Sequence, residues 1–387
     1  MRRSDSDDGS FPSSSIIFVK NLLLRLLLVL LLFFGLIGIC FSLSYLLAQE
    51  PGKEAYFYQK LENQVVQCQL CPRRCVIPPG KRGFCRVREN RNGRLFSLVY
   101  ARPCAIHIDP IEKKPLFHFL PGSLVFSIAT ASCNLRCLFC QNWQISQVKP
   151  EQVNSVYLEP QELISRVKAT DSPTIAYTYT EPVIFYEYML DTAKLAKAQG
   201  IRNIMHSNGY INEEPLRKIC KYLDAANIDL KGFTQKYYSE MTAGHLDPVL
   251  EALKILKQEG VWVEITNLLL PGLNDNTQII IKMCLWIKEN LGDDVPIHFS
   301  RFRPTYKMLS LSPTPITTLE KARSIARDCG LKYVYIGNVP GHIAESTYCP
   351  GCGEVVIKRS GYSVLEVNLD EQGRCKFCQE KISGVWK

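Results

Sequence analysis

Three cysteines, Cys133, Cys137 and Cys140, stand in the segment SCNLRCLFCQNW with the spacing C-x3-C-x2-C. Thiolates select zinc or iron–sulfur clusters. A closed site of either kind wants a fourth ligand, and the next cysteine, Cys220, comes about eighty residues later. On a cluster of four irons, three thiolates leave one iron without a protein ligand. A catalytic zinc keeps a position open in the same sense, and a structural zinc does not. The spacing therefore points to a metal centre whose open corner takes a small molecule through nitrogen or oxygen donors.

Two further groups flank this loop. Cys349, Cys352, Cys375 and Cys378 form C-x2-C-x22-C-x2-C, the spacing of a closed, structural zinc ribbon, and the intervening GYSVLEVNL suits a hairpin strand. An extra iron–sulfur cluster is the minor alternative there. Cys68, Cys71, Cys75 and Cys85 form C-x2-C-x3-C-x9-C. Four thiolates again fit a closed site, with zinc favoured over a second cluster. His107 and His118, which border this region, are expected as packed or surface residues. The chain has sixteen cysteines in all. Disulfide frameworks belong to small secreted domains, so paired C-x2-C motifs in 387 residues read as metal ligands kept reduced.

Composition bounds the rest. With 46% apolar and 21% charged residues the chain is folded, and its net charge of +9 is not gathered into like-charge runs, so nucleic acid is not an expected partner. Residues 26–48, LLLVLLLFFGLIGICFSLSYLLA, carry no charge. As a helix they would span about 35 Å, enough for a hydrocarbon core of ~30 Å, and the stretch is longer than the ~7–15 residues of a signal-peptide core. A single-pass N-terminal anchor is expected. Arg2, Arg3, Lys20 and Arg25 before it, against Lys53 and Lys60 after it, favour a cytoplasmic N-terminus. The reduced thiols favour a cytoplasmic catalytic domain instead, and that argument is given more weight. The expected organisation is a tail (1–25), the anchor (26–48), a linker (49–66), a Cys-rich metal-binding domain of short strands and loops (67–120), a barrel (121–340) and the zinc-ribbon-like module (341–387).

From residue 124 onward strand-like and helix-like segments alternate: strands near 124–131, 174–180, 201–207, 225–231, 261–270, 295–302 and 331–337, with amphipathic helical runs between them. The run at 183–200 closes on a C-terminal glycine, Gly200. This alternation predicts a parallel sheet of β/α units, too few for a closed eight-stranded barrel, and so an α/β fold with a partial, open (β/α)6-type barrel. In such folds chemistry sits at the carboxyl ends of the strands. There the sequence places the three-cysteine loop, TEP, HSNG, DLKG, LPGLND, HFSRFRP and GN.

The C-x3-C-x2-C loop after the first parallel strand, with Phe139 before its last cysteine, resembles the radical SAM enzymes. CPRRCVIPPGKRGFCRVREN, DPIEKKPLFHFLPGS, YTYTEP, NIDLKGF, LLLPGLND and HFSRFRP further resemble the radical SAM enzymes of AmmeMemoRadiSam systems, relatives of pyruvate formate-lyase activating enzymes, over about residues 66–387. The resemblance implies a [4Fe–4S] cluster on Cys133, Cys137 and Cys140, with S-adenosylmethionine (SAM) chelating the open iron. One electron then cleaves SAM to methionine and a 5′-deoxyadenosyl radical that abstracts hydrogen from a substrate. It also implies cofactor contacts: Glu181 to the SAM amino group, Ser207 and Asn208 to ribose or carboxylate, Asp229 and Lys231 to the amino and carboxylate ends, and His298 near the adenosyl group. Tyr179 and Thr180 stand where many relatives have two glycines, which removes backbone freedom at that contact. The implied partners are a protein, peptide or small-molecule substrate and a one-electron donor such as flavodoxin or ferredoxin. The rival readings are a multi-centre electron-transfer protein, which should have four ligands per cluster, and a membrane-anchored zinc-binding adaptor, which leaves seven decorated strand ends unexplained.

Overall fold

The structure, a computed structural model, describes residues Gly52–Lys387, which form one compact unit. The expected tail at 1–25 and anchor at 26–48 lie outside the described residues. Among the described residues, no helix is long and apolar enough to cross a membrane.

An eight-stranded sheet dominates. Its strands are β1 (Ala105–Pro110), β2 (Leu124–Ala129), β3 (Thr174–Tyr177), β4 (Arg202–Ser207), β5 (Ala225–Asp229), β6 (Trp262–Leu269), β7 (Ile297–Arg301) and β8 (Val334–Gly337), paired in sequence order. From β2 to β8 every pair is parallel, while β1 runs antiparallel to β2. The connecting helices are α1 (Pro160–Lys168), α2 (Tyr186–Ala198), α3 (Glu213–Cys220), α4 (Asp247–Gln258), α5 (Thr277–Leu291) and α6 (Ile316–Asp328). Six helices joining seven parallel strands is the partial, open barrel expected from the alternation. Gly200 takes φ +72° just beyond α2, the left-handed turn that its place after the helical run predicts.

The strands sort their side chains by alternation. Ile228, Ile265, Ile297 and Phe299 join the buried core, together with Leu163, Leu190, Leu216, Leu253, Ile287 and Leu319 of the helices. Each such side chain stabilises the fold by about 1.5–3 kcal/mol on burial. The intervening residues, Thr266, His298 and Ser300 among them, line the barrel interior and are polar. This period of two is why the strands read as apolar and yet carry site residues.

Two expectations need correction. Residues 49–66 are not simply a linker: Lys53–Glu54 and Tyr58–Lys60 are strands. The first pairs with Arg94–Ser97, itself paired with Arg88–Arg91, and the second with Val66–Cys68, which also pairs with Val76–Ile77. Polar composition misled because these are short strands at the surface. The Cys-rich segment also gives β1 to the main sheet. The N-terminal strands are tied to the barrel by a buried ion pair, Arg88 Nη1 to Glu187 Oε1 of α2 at 3.0 Å. The same Glu187 oxygen accepts from the Tyr56 amide at 2.8 Å.

At the other end, β9 (Val355–Ser360) and β10 (Ser363–Val367) form the expected hairpin between the C-x2-C pairs. The last residues return to the barrel. The Leu120 amide donates to Val385 O and the Val385 amide to His118 O, both at 2.7 Å. His118 is fully buried, with Nδ1 donating to Ser383 O at 2.6 Å and Nε2 accepting from Tyr335 Oη. It is a packed histidine, as expected, and burial pushes its pKa down to about 4.

Candidate active site

The three-cysteine loop leaves the end of β2 and is held from below by an irregular helix. Residues Tyr238–Thr242 form a π-helical turn. Such turns free carbonyls from the regular ladder. Here Thr242 O accepts from the Arg136 amide at 2.8 Å and Met241 O from the Leu138 amide at 3.0 Å. Gly244 follows where a Cβ would come within 2.7 Å of Leu135 Cδ2, so a larger residue there would push the Leu135 side chain aside. Sequence reading missed this support. Its one visible signal is YYSEMTAGH, a short helical run that ends in small residues. Within the loop, the Leu135 amide points at Cys133 Sγ at 3.4 Å, and Cys140 Sγ lies 3.0 Å from Ser146 Oγ.

The sequence-predicted residues come together. Cys133, Cys137, Cys140, Glu181, Ser207, Asn208, Asp229, Lys231 and His298 all line one cavity of about 440 Å³, to which each of the seven parallel strands or the loop after it contributes. Ser207 and Asp229 are the last residues of β4 and β5, whereas His298 is the second residue of β7. His298 therefore sits deeper in the barrel than the strand-end loop in which HFSRFRP was expected to lie.

Each of these side chains has a definite job in the fold. Glu181, fully buried, accepts from Ser207 Oγ at 2.7 Å, the Asn208 amide at 2.9 Å and the Val183 amide at 3.0 Å. Burial raises its pKa above the usual carboxylate value. It shapes the Ser207–Asn208 turn directly. Asn208 Nδ2 in turn donates to Asn134 Oδ1 at 2.9 Å, beside Cys133. Asp229 Oδ2 lies 2.9 Å from Lys231 Nζ, and its Oδ1 lies 3.2 Å from His206 Nε2. Burial alone would raise the Asp229 pKa; the interactions with Lys231 and His206 together outweigh that and hold it low, while Asp229 drives Lys231 upward against its own burial. His206, quoted within HSNG but given no role from sequence, is thus the third member of this charged group.

His298 donates from Nε2 to Glu264 Oε2 at 2.7 Å and packs between Phe117 (ring centroids 4.7 Å, edge-on) and Tyr335 (5.0 Å, stacked). Glu264 also accepts from the Phe117 and His118 amides and from Trp262 Nε1. This buried carboxylate fastens the DPIEKKPLFHF segment to the barrel floor.

The glycine substitutions resolve clearly. Tyr179 keeps the left-handed backbone of a glycine, with φ +61°. That costs a bulky residue about 1–2 kcal/mol. The cost is offset by contacts: Tyr179 O accepts from Asn142 Nδ2 at 2.6 Å and its hydroxyl donates to Asp109. Asp109 also holds Lys114 Nζ at 2.6 Å and Lys113 Nζ at 2.7 Å. Lys114 is buried in the cavity wall, and desolvation pushes its pKa down to about 8. Sequence reading gave Lys114 no role, because a buried lysine looks like any other until its carboxylate partner is located.

The two flanking groups are arranged differently. Cys349 Sγ lies 3.5 Å from Cys378 Sγ and Cys352 Sγ 3.8 Å from Cys375 Sγ, and all four sulfurs lie within 4.8 Å of one another. This donor set fits one tetrahedral ion. Cys68, Cys71, Cys75 and Cys85 line a second, small cavity beside the N-terminal strands.

The Radical SAM superfamily matches residues 127–284, from β2 into α5. The chain belongs to the radical SAM superfamily. This radical SAM enzyme is 49% identical over 334 residues to the uncharacterized protein MJ0808 of Methanocaldococcus jannaschii, covering 86% of this chain and 99% of that one. It is 25% identical over 162 residues to the pyruvate formate-lyase-activating enzyme of Clostridium pasteurianum, covering 40% of this chain and 66% of that one. Among solved structures, Streptococcus suis SuiB aligns with TM-score 0.45 at 13% identity, covering 59% of this chain and 52% of that one.

The family implies a [4Fe–4S] cluster and SAM, and the residues present fit both. Three cysteines converge on a polar cavity, and burial pushes the Cys137 thiol up to about 12, so it would ionise on a bound cation and stay protonated without one. An anion and a cation, Asp229 and Lys231, stand side by side for a zwitterion.

Proposed function

We propose that this radical SAM enzyme binds a [4Fe–4S] cluster at Cys133, Cys137 and Cys140 and SAM beside Asp229, Lys231, Glu181, Ser207, Asn208 and His298, and that it uses them to abstract hydrogen from a protein or peptide substrate. The observation that carries this reading is the convergence of the three cysteines and the Asp229–Lys231 pair on one cavity. When bound, the cluster supplies the electron that breaks the sulfonium C–S bond of SAM, giving methionine and a 5′-deoxyadenosyl radical.

The protein's part is orientation and exclusion of water. Lys231 presents its ammonium to a carboxylate, and Asp229, steadied by His206, presents its oxygens to an ammonium. Glu181 fixes the Ser207–Asn208 turn through three hydrogen bonds, so these polar groups are aimed before the ligand arrives. Phe117 and His298 give the adenosyl end an aromatic wall. Lys114, partnered by Asp109, is a cation in the same cavity available to the substrate.

A protein or peptide target follows the activating-enzyme relatives, and the motifs quoted above resemble those of AmmeMemoRadiSam systems. A flavodoxin- or ferredoxin-class donor supplies the electron, the C-terminal cysteines hold structural zinc, and residues 26–48 anchor the enzyme to a membrane with its catalytic domain on the cytoplasmic side. The test is direct. The full chain, purified without oxygen and given SAM and dithionite, should release 5′-deoxyadenosine; a protein loaded with its cluster that releases none would overturn the reading.

A further inference from the structure

We propose that Cys68, Cys71, Cys75 and Cys85 hold a second, closed iron–sulfur cluster in place of the expected zinc, and that it passes single electrons to the adjacent Cys133–Cys140 loop. The metal assignment stands on its own geometry; the direction of electron flow rests on the function proposed above.

Sulfur spacing separates the two four-cysteine groups. Zinc holds thiolates at about 2.3 Å, which sets sulfurs roughly 3.8 Å apart in a tetrahedron. The C-terminal group meets this with contacts of 3.5 and 3.8 Å. Among the described residues it is the one cysteine group whose sulfurs all lie within 4.8 Å of one another. The N-terminal cysteines instead surround a cavity of about 20 Å³. A water needs ~10–15 Å³ by the same kind of measure. The N-terminal sulfurs are not drawn together within 4.8 Å as those around the C-terminal point are, which is the spread of thiols around a cluster and not around a single ion.

The backbone around the two groups differs as well. In the C-terminal group both C-x2-C turns are built alike. The Cys349 amide donates to Glu354 O and the Gly353 amide to Cys349 O; the Cys375 amide donates to Glu380 O and the Gln379 amide to Cys375 O. Gly353 and Gln379 both take positive φ, +79° and +66°. Two matched turns face one ion. The first turn of the N-terminal group departs from this pattern: the Cys68 amide donates across strands to Cys75 O at 2.9 Å.

The wall of the small cavity is largely apolar. Leu70, Ile77, Val183 and Ile184 seal the cavity with apolar side chains. Arg88 also lines it, fully buried, and its Nε–H has no partner although its other nitrogens bind Glu187 and Tyr56 O. The Phe84 amide points at Cys75 Sγ at 3.5 Å. An orphaned cationic donor and an N–H···S contact in an apolar-walled pocket are features that tune a cluster's reduction potential.

The N-terminal cysteines also adjoin the catalytic loop. Ser132 Oγ donates to Cys85 O at 2.7 Å, one residue before Cys133. Arg73 Nε donates to Asn134 O at 2.7 Å. Arg136 donates from one nitrogen to Cys133 O at 2.8 Å and from the other to Phe84 O. Asn134 lines the small cavity while its side-chain oxygen is bound by Asn208 of the large one. The path from Cys85 to Cys133 through Ser132 takes one hydrogen bond and a few covalent bonds. One electron enters from a reduced flavodoxin- or ferredoxin-class protein, reduces this cluster by one unit, and leaves to reduce the catalytic cluster; no bond to the protein forms or breaks.

The experiment is a metal count on the full chain purified without oxygen, with iron, acid-labile sulfide and zinc measured per chain. About eight irons, eight sulfides and one zinc are expected from two four-iron clusters and the C-terminal site; four irons with two zincs overturn the proposal. Cys71→Ser should remove about half of the iron and leave the zinc, and iron unchanged in that variant overturns the assignment of ligands. Paramagnetic resonance of the reduced wild-type protein should show two interacting spins, of which SAM perturbs one. For the relay, the ratio of flavodoxin-driven to dithionite-driven 5′-deoxyadenosine should fall at least tenfold in Cys71→Ser. An unchanged ratio overturns electron transfer while leaving the iron count to judge the cluster. Failure of SAM cleavage in wild type carrying eight irons would instead strike the function proposed above.

Discussion

The two four-cysteine groups that flank the barrel hold the same number of thiols and sit in opposite settings. The C-terminal group is drawn within 4.8 Å, with Cys352 and Cys378 exposed and its own small core of Val356, Ile357, Leu369 and Ile382 behind it. The N-terminal group surrounds a cavity, with Cys68 and Cys85 buried, and it shares hydrogen bonds with the catalytic loop. Ligand number alone therefore does not separate a staple from a redox centre. What separates them is the distance between sulfurs and what lies on the far side of the wall.

The contrast can be broken at several points. Cys137→Ala should have the largest effect: loss of 5′-deoxyadenosine formation by more than about a thousandfold, read by chromatography, with zinc at the C-terminal group retained. Loss of zinc together with activity would mean that the regions do not act separately. Asp229→Asn removes a charged partner of Lys231 and should weaken SAM binding about ten- to a hundredfold, the effect of losing a charge-assisted hydrogen bond worth about 1.5–3 kcal/mol, as measured by calorimetric titration of SAM into the cluster-loaded enzyme. Cys352→Ala should release the C-terminal ion and lower the melting temperature by several degrees, with SAM cleavage kept within about twofold. Cleavage lost in step with zinc would assign the C-terminal group a part in chemistry.

The smallest effect concerns the strap that joins the C-terminal tail to the barrel. His118 has its pKa lowered from 6.5 to about 4 in the folded protein. Between those values the unfolded chain binds the proton and the folded one does not, so stability falls as pH drops through this window. The loss should reach at most about 3 kcal/mol by pH 4. Urea titrations at pH 7 and pH 5 should show the loss in wild type and a smaller one in His118→Gln; equal losses would remove His118 as the cause.

Much of this was legible in the sequence. The period of two in strands and the apolar helix faces gave the barrel, and C-x3-C-x2-C gave the loop at its mouth. Glu181, Asp229 and Lys231 stood out through the family resemblance, and the gathering of strand ends at one face gave TEP and DLKG a common place. Other features depend on contacts between distant segments. The left-handed backbone at Tyr179 is held by Asn142 and Asp109, and no local pattern announces it. Lys114 acquires its lowered pKa from burial, and His206 its role from Asp229. The strands at 53–60 were hidden by polar composition, since short edge strands need few apolar residues.

The π turn at Tyr238–Thr242 makes the enzyme sensitive to chain length in a way that side-chain chemistry does not reveal. A helix with one residue fewer there would wind on as a regular α-turn, and everything beyond it would rotate by about 100°. The carbonyls of Met241 and Thr242 would then swing away from the loop amides they now receive. The metal-bearing loop is thus indexed by a count of residues in a neighbouring helix, and a one-codon deletion there could silence the site while every cysteine remained in place.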